Sequence, residues 1–188
     1  MNKAIFLDRD GTIIENKGYI CRLEQSFIFP FAFEAVRSMN ELLYKVIVIT
    51  NQSSIARGIC TPEQIESLHS DIRQAFLEHR AVIDGFYYCP YHADSVIEPY
   101  NRIHPCRKPS PGMLLQAAAD YRLDLSRCFM IGDDVCDIQV GLNAGCKTVL
   151  VLTGKGPETQ IKLQKDGIIP DFISENLLAA INTIAVLP

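Results

Sequence analysis

The chain has 188 residues, of which 48% are hydrophobic and 21% are charged, as is typical of one folded domain with a sizeable core. The net charge of −4 and the lack of a basic stripe give no electrostatic reason to expect a nucleic-acid partner. No apolar run is long enough for a signal peptide or a membrane span. We therefore expect a cytoplasmic protein without a membrane partner, a single domain over residues 1–188, and a monomer as the simplest assembly.

Short apolar runs alternate with helical patterns along the whole chain. Strands are expected at 4–8, 45–50, 85–89, 128–133, 147–153 and 171–174, and helices at 31–43, 62–80, 111–122, 135–144, 157–166 and 175–185. The runs 46–49 and 148–152 are apolar on both faces, which is typical of strands buried in a parallel sheet. The alternation predicts an α/β fold, with a doubly wound, mostly parallel sheet and helices on both faces.

The helix predicted at 62–80 has the clearest sequence pattern. Thr61 is suited to cap its N-terminus and Pro62 to occupy its first position, and apolar residues recur along one face. His69 and His79 are expected to be surface or face-edge residues of this helix.

Polar residues stand where four of the predicted elements meet the sheet edge. In an open parallel sheet the ligand lies off the carboxyl ends of the strands, so these side chains should converge on one crevice. The groups, in chain order, are Asp8 with Asp10 and Gly11, then Thr50 with Asn51, Gln52 and Ser53, then Arg107 with Lys108, and finally Asp133 with Asp134.

The residue types in this crevice favour phosphoryl transfer. Clustered carboxylates repel one another unless a cation neutralises them, and hard oxygen ligands favour Mg²⁺. Beside such a metal, Arg107 and Lys108 would bind an anion. Alternate side chains leaving a strand point the same way, so Asp8 can attack phosphorus while Asp10 handles a proton. A P-loop enzyme is not expected, because no Gly-rich loop followed by Lys-Ser/Thr is present.

Four motifs, in order along the chain, resemble those of the haloacid dehalogenase superfamily of aspartate-nucleophile phosphatases. They are "FLDRDGT" at 6–12, "ITNQS" at 49–53, "CRKP" at 106–109 and "IGDD" at 131–134. The resemblance implies a Rossmann-like fold, and the chain is too short for a large cap domain. Within the superfamily, "NQSSIARG" and "YYCP…CRKPSPGML" look like the D-glycero-D-manno-heptose 1,7-bisphosphate 7-phosphatase branch, which is close to the histidinol-phosphate phosphatases.

The resemblance also implies roles for individual residues. Asp8 would be the nucleophile and Asp10 the acid and base, while Thr50, Lys108 and Arg107 would neutralise the transferring phosphoryl group. Asp8, Asp133 and the backbone carbonyl of Asp10 would bind Mg²⁺. The residues onto which family substrate contacts map are Asn16, Lys17, Gly18, Tyr19, Thr50, Asn51, Gln52, Ser53, Arg107 and Lys108.

Two residues depart from the family pattern near these motifs. Ser54 stands where the branch usually has glycine, so the backbone there must tolerate a side chain. Asp134 stands where some members have lysine after the motif aspartate, which removes one phosphate contact. Neither departure touches the phosphoryl-transfer residues.

The stretch from Cys89 to Lys108 has no clear periodicity, and a loop of that length is usually functional or held by something besides hydrophobic packing. The branch's zinc loop usually has Cys-x-His and then Cys-x-Cys before Arg-Lys, whereas here Tyr91 takes the usual histidine position and His92 is displaced by one residue. Two sulfurs and two imidazoles suit a tetrahedral, structural Zn²⁺. The four candidate ligands are Cys89, His92, His104 and Cys106.

The same loop could also be held without a metal. Packing among its tyrosines is the alternative to zinc. A disulfide is not expected, because the cytosol keeps thiols reduced. The seven cysteines of the chain are also an odd number.

The sequence therefore predicts a Mg²⁺-dependent phosphatase that hydrolyses a sugar phosphate monoester through an aspartyl-phosphate, with the 7-phosphate of the heptose bisphosphate as the expected target. Histidinol phosphate or another small metabolite is the alternative substrate. A non-catalytic phospho-acceptor receiver domain is a rival from another class. Receivers, however, carry a lone phosphorylated Asp after a later strand, whereas here Asp-x-Asp-Gly-Thr follows the first strand.

Overall fold

The computed structural model describes residues 2–187, so Met1 and Pro188, the two ends of the expected domain, lie outside the described residues. Six strands and six α-helices alternate along the chain. They are β1 (Ala4–Leu7), α1 (Pro30–Glu41), β2 (Lys45–Asn51), α2 (Pro62–Glu78), β3 (Gly85–Cys89), α3 (Gly112–Tyr121), β4 (Phe129–Gly132), α4 (Val135–Ala144), β5 (Lys147–Val151), α5 (Gly156–Asp166), β6 (Phe172–Ser174) and α6 (Leu177–Ala185).

The strands form one sheet in the order β3-β2-β1-β4-β5-β6, and every neighbouring pair is parallel. The predicted α/β fold is confirmed, and each expected element is present with its ends within two residues of the prediction. The chain winds outward in both directions from β1 and β4 at the centre. A crevice therefore opens at the carboxyl ends of these strands, where the order of connection reverses.

Side chains of each central strand alternate between two apolar layers. In β1, Ile5 and Leu7 belong to the cluster that includes residues of α1, α2 and α6, whereas Phe6 belongs to the cluster that includes residues of α3 and α4. The two-residue period of a strand places consecutive side chains on opposite faces. Helices on both faces thus bury the sheet and fix where its strand ends point.

The predicted cap of α2 is confirmed. The Thr61 hydroxyl accepts a hydrogen bond from the backbone N–H of Gln64, and the Gln64 side chain accepts one from the backbone N–H of Thr61. His79 is exposed, as expected. The expectation for His69 is wrong, because its side chain is buried and stacks on the ring of Phe86 at a centroid distance of 4.7 Å. The helix buries a wider face than its apolar stripe indicates, since an aromatic ring of β3 covers this histidine.

The expectation that no disulfide forms is also wrong for this structure. Cys21 is bonded to Cys60 with a Cα–Cα distance of 5.6 Å, and Cys89 is bonded to Cys106 with a Cα–Cα distance of 5.5 Å. Both Cα distances lie in the usual range for disulfides. Cys21 and Cys60 lie in segments that only the fold brings together, whereas Cys89 and Cys106 belong to the one loop for which shared zinc binding is predicted. None of the helices within residues 2–187 is long and apolar enough to cross a bilayer.

Candidate active site

A polar cleft of about 530 Å³ opens at the carboxyl ends of β1, β2 and β4. Of the residues predicted to act in catalysis, to contact the substrate or to bind Mg²⁺, only Lys17 is not among those that line it; its ammonium pairs instead with Glu15 at 2.7 Å. The lining residues are Asp8, Asp10, Asn16, Gly18, Tyr19, Thr50, Asn51, Gln52, Ser53, Arg107, Lys108, Asp133, Asp134, Cys136, Asp137 and Lys155.

Three buried carboxylates meet at the floor of the cleft. Asp8 follows β1, Asp133 follows β4, and Asp137 lies in the first turn of α4. Carboxylate oxygens of the three lie within 4.8 Å of one another, and no other such group of three metal-binding side chains is found in residues 2–187. Lys108 Nζ is 2.6 Å from Asp8 Oδ1, 2.6 Å from Asp137 Oδ1, and donates to the carbonyl of Ile49 at 2.9 Å.

The charges of this cluster are incompletely balanced. Burial raises the pKa of Asp8 to about 7, and neighbouring carboxylates add to that rise while Lys108 opposes it. Burial and the charges of Asp8 and Asp137 raise the pKa of Asp133 to about 8. Burial opposes the charged form of Lys108, yet Asp137 and Asp8 together raise its pKa. Three carboxylates face one ammonium, so the donor set fits a hard divalent cation such as Mg²⁺.

Asp10 stands apart from this cluster and is held by different partners. The guanidinium of Arg9 donates from Nε and Nη2 to the two carboxylate oxygens, each at 3.1 Å. Gln52 Nε2 donates to Asp10 Oδ2 at 3.1 Å and to Thr50 Oγ1 at 2.8 Å. Asp10 still lines the cleft, so its carboxylate is both oriented and accessible.

Gly11 allows the chain to turn sharply beneath the carboxylates. Its φ is +92°, and a Cβ at this position would overlap the carboxylate of Asp133. Both the left-handed backbone and the close approach of a side chain require glycine here. The turn thereby brings the end of β1 against the end of β4.

Asn51, at the end of β2, fixes the segment that carries Arg107 and Lys108. The Asn51 side-chain amide donates to the backbone carbonyl of Lys108 and accepts from its backbone N–H, both at 3.1 Å. Arg107 Nη1 donates to the carbonyl of Tyr91 at 3.1 Å. These bonds tie the Cys/His loop to the sheet and direct Lys108 into the cleft.

Of the four candidate zinc ligands, Cys106 contacts two of the others, Cys89 and His104. The sulfurs of Cys89 and Cys106 are in contact, and His104 Nδ1 is 3.0 Å from Cys106 Sγ. His92 instead accepts a hydrogen bond through Nδ1 from the backbone N–H of Asp94. Aromatic packing also holds this loop, since Tyr91 stacks on His104 at a centroid distance of 4.1 Å.

The structure accounts for both departures from the family pattern. Ser54 is not among the described residues with positive φ, so its backbone accepts a side chain. Asp134 caps α4 by accepting from the backbone N–H of Cys136, and it pairs with Lys155 Nζ at 2.8 Å.

Cys136, Asp137 and Lys155 line the cleft and Arg9 binds Asp10, but none of these four was predicted as a site residue. Asp137 follows Asp133 by four positions at the start of a helix, and this spacing indicates a shared face. Lys155, beyond β5, donates its backbone N–H to Asp133 at 2.8 Å, a position that continues the row of strand ends. No sequence pattern marks Arg9 as a site residue, because a charged residue between two catalytic candidates is usually taken as solvent-exposed.

Comparisons with known proteins agree with this geometry. Residues 105–180 match the HAD-hydrolase-like family model. The chain is 38% identical over 185 residues to the D-glycero-D-manno-heptose-1,7-bisphosphate 7-phosphatase of Chlorobaculum tepidum, covering 95% of this chain and 92% of the relative. It is 40% identical over 154 residues to D-glycero-beta-D-manno-heptose-1,7-bisphosphate 7-phosphatase of Escherichia coli K12, covering 81% of this chain and 80% of that protein.

A solved structure has the same fold. The D,D-heptose 1,7-bisphosphate phosphatase of B. bronchiseptica, complexed with magnesium and phosphate, superposes with a TM-score of 0.84 at 28% identity and covers 98% of both chains. The fold and the cleft define a phosphoric monoester hydrolase of the haloacid dehalogenase type. The identity over most of the chain places it more narrowly: the protein belongs to the D-glycero-D-manno-heptose-1,7-bisphosphate 7-phosphatase family.

Proposed function

We propose that this enzyme hydrolyses the 7-phosphate of D-glycero-D-manno-heptose 1,7-bisphosphate in a Mg²⁺-dependent reaction. One observation carries the chemistry: a nucleophile candidate lies in a buried carboxylate cluster paired with Lys108, while Asp10 is held separately by Arg9 at the same cleft. The names of the family members at 38–40% identity support the choice of substrate.

In the first step, an oxygen of Asp8 attacks phosphorus and the bond from phosphorus to the sugar oxygen breaks. Asp10 gives its proton to that departing oxygen, so the products are an aspartyl-phosphate and the free sugar hydroxyl. Thr50, Lys108 and Arg107 neutralise the negative charge on the phosphoryl oxygens during the transfer.

In the second step, Asp10 takes a proton from a water molecule that attacks the aspartyl-phosphate. The bond between Asp8 and phosphorus breaks, which releases inorganic phosphate and regenerates the carboxylate of Asp8. Asp8, Asp133 and the backbone carbonyl of Asp10 are the proposed Mg²⁺ ligands, and Asp137 is near enough to join them. When bound, Mg²⁺ would neutralise charge on the phosphoryl oxygens.

The substrate is proposed to contact residues that line the mouth of the cleft. Asn16, Gly18 and Tyr19 lie on one loop, and Asn51, Gln52 and Ser53 on another. Lys17, which pairs with Glu15, would have to leave that partner to reach a substrate. A cytoplasmic monomer that binds this sugar phosphate remains our proposal for the working form of the enzyme.

The function is tested by a phosphate-release panel. It contains both anomers of the heptose 1,7-bisphosphate, histidinol phosphate and simple sugar phosphates, each assayed with Mg²⁺. We expect the highest kcat/KM for a heptose bisphosphate. A preference for histidinol phosphate would contradict the proposed substrate. The absence of phosphate release from every compound would contradict the proposed phosphatase activity.

Asp10→Asn tests the mechanism within the same panel. Because amide nitrogen neither gives nor takes the required protons, we expect multiple turnover to fall by about 10²-fold or more and aspartyl-phosphate to accumulate. Asp134→Asn serves as a matched control, since Asp134 caps α4 and has no proposed role in proton transfer. Turnover by Asp10→Asn at the wild-type rate would contradict the role of Asp10 as acid and base. Phosphorylation without turnover in the wild type, little affected by Asp10→Asn, would favour a receiver-like role.

We also propose that the reduced Cys/His loop binds a structural Zn²⁺ through Cys89, Cys106 and His104, with His92 as the fourth ligand. Two thiolates and two imidazoles suit tetrahedral zinc, and reduction of the pair Cys89 and Cys106 would free both sulfurs as thiolates. Metal analysis of protein purified in reductant without chelator tests this. We expect about one zinc per chain, and a stoichiometry near zero would contradict the proposal.

A further inference from the structure

Arg9 lies between the two proposed catalytic aspartates but faces away from the substrate. Its side chain is 1% exposed and is not among the lining residues of the cleft. All three guanidinium nitrogens are engaged: Nε and Nη2 bind Asp10, Nη2 also donates to Gln52 Oε1 at 3.0 Å, and Nη1 lies 3.1 Å from His69 Nε2. Arg9 thus connects the acid–base carboxylate with a buried histidine of α2.

The contact with Arg9 fixes the protonation of His69. A guanidinium has only donors, so His69 Nε2 must accept the bond and the ring proton must lie on Nδ1. Burial, followed by the charges of Arg9 and Arg73, lowers the pKa of His69 to about 3, which keeps the ring neutral. The ring is also held mechanically, because it stacks on Phe86 with an interplanar angle of 19° and meets Tyr88 edge-on at 5.7 Å.

His69 is the hydrogen-bond partner of Arg9 Nη1 in the described part of the chain. A buried donor that loses its acceptor carries a desolvation cost, so the guanidinium would rotate or shift to recover one. Because the same planar group binds both oxygens of Asp10, such a shift would move the carboxylate. A displacement of about 1 Å at a reacting group can cost about 10²-fold in rate.

We propose that His69 is a positioning residue for proton transfer. Its Nε2 accepts from Arg9, which fixes the guanidinium plane, and that plane holds Asp10 in line with the leaving oxygen in the first step and the attacking water in the second. This role rests on the proposed function of Asp10 as acid and base. His69 itself contacts neither the cleft nor the proposed metal ligands.

Two substitutions separate the hydrogen bond from the packing. His69→Phe keeps a flat ring against Phe86 but removes the acceptor, whereas His69→Gln supplies a carbonyl oxygen as an acceptor. With heptose 1,7-bisphosphate as the substrate, we expect His69→Phe to lower kcat by about 10-fold or more while KM changes by less than about 2-fold. His69→Gln should recover most of that kcat. His79→Phe, on the exposed end of the same helix, should leave kcat unchanged.

p-Nitrophenyl phosphate tests the two reaction steps separately, because a purely structural role of His69 would not change the relative rates of the two steps. Its leaving group is stable as an anion, so phosphorylation of Asp8 needs no proton from Asp10, whereas hydrolysis of the aspartyl-phosphate still needs a base. His69→Phe should therefore release a burst of about one nitrophenolate per active site, followed by slow turnover. The wild type and His69→Gln should show a smaller burst.

The inference would be overturned if the kcat of His69→Phe stayed within about 2-fold of the wild-type value. It would also be overturned if His69→Phe and His69→Gln lost equal activity, showed no burst, and lost that activity in proportion to a fall in melting temperature. Failure of the proposed function looks different. In that case wild-type enzyme would release no phosphate from the heptose bisphosphate, while the nitrophenyl phosphate burst would still report on His69.

Discussion

Lys108 is the residue on which the charge balance of the cleft floor depends. Its ammonium is buried and binds two carboxylates that come from opposite sides of the site, Asp8 after β1 and Asp137 in α4. Removal of one partner from a buried ion pair leaves an uncompensated charge in a poorly solvated place. Lys108 is therefore both a phosphate ligand in the proposed reaction and a structural part of the cleft floor.

We expect Lys108→Met to lower the free energy of unfolding by about 3–5 kcal/mol at neutral pH, because it leaves two buried carboxylates without their ammonium. The same change should lower kcat/KM by about 10²-fold or more, through loss of charge stabilisation in the transition state. Urea denaturation and steady-state kinetics measure the two effects. Lys162→Met on the exposed surface of α5 is the control, and an equal stability for both variants would contradict this interpretation.

At the scale of secondary-structure elements, the sequence predicts the strands and helices well because each carries a local signal. Two-sided apolar runs mark the central strands, and the Thr61–Pro62 pair marks the start of α2. Residues that contact across elements give no such signal. His69 has the spacing of a face-edge residue, and only the approach of β3 buries it.

The loop that carries Tyr19 is tied to the start of α2. The bond from Cys21 to Cys60 joins them, and Cys60 packs with Ile55 and Ile65 in a small apolar cluster. Cross-linking segments that are 39 residues apart restricts the unfolded chain. This bond therefore holds one wall of the cleft to the body of the domain.

Removal of this bond by Cys21→Ser should lower the free energy of unfolding by about 2–4 kcal/mol in oxidising buffer, because the unfolded chain regains its loop entropy. The same substitution should have a much smaller effect in excess reductant, where the wild type also lacks the bond. Urea denaturation in the two buffers provides the comparison. Equal destabilisation with and without reductant would show that the bond contributes nothing and that the serine acts through packing.

At the scale of the whole molecule, the parallel sheet accounts for how much of the site could be predicted. Once all strands run the same way, residues at the carboxyl ends of β1, β2 and β4 lie at one edge of the sheet, and Asp8, Thr50 and Asp133 do line one cleft. What could not be predicted depends on three-dimensional proximity. Arg9 turns inward, and Cys21 pairs with Cys60, a buried residue 39 positions along the chain.

Magnesium should stabilise the whole fold, because its proposed carboxylate ligands repel one another in the native state and are dispersed in the unfolded chain. At 100 times its Kd, Mg²⁺ should add about 2.7 kcal/mol to the free energy of unfolding. Thermal unfolding with and without EDTA measures the shift. Asp133→Asn removes a charge from the cluster and should abolish most of the Mg²⁺-dependent shift in melting temperature. A wild-type melting temperature insensitive to Mg²⁺ would argue against a metal at this cluster.

The inward orientation of Arg9 also bears on how such an enzyme can change. The loops that we propose to contact the substrate line the cleft, whereas Arg9 binds Asp10 from the side of α2, where it also contacts His69. Under the proposed role of His69, substitutions on α2 would alter the rate of proton transfer without reshaping the loops proposed to contact the sugar. The two proposed sets of residues meet at Gln52, which lines the cleft and also binds both Arg9 and Asp10, so a change at Gln52 would affect substrate preference and turnover together.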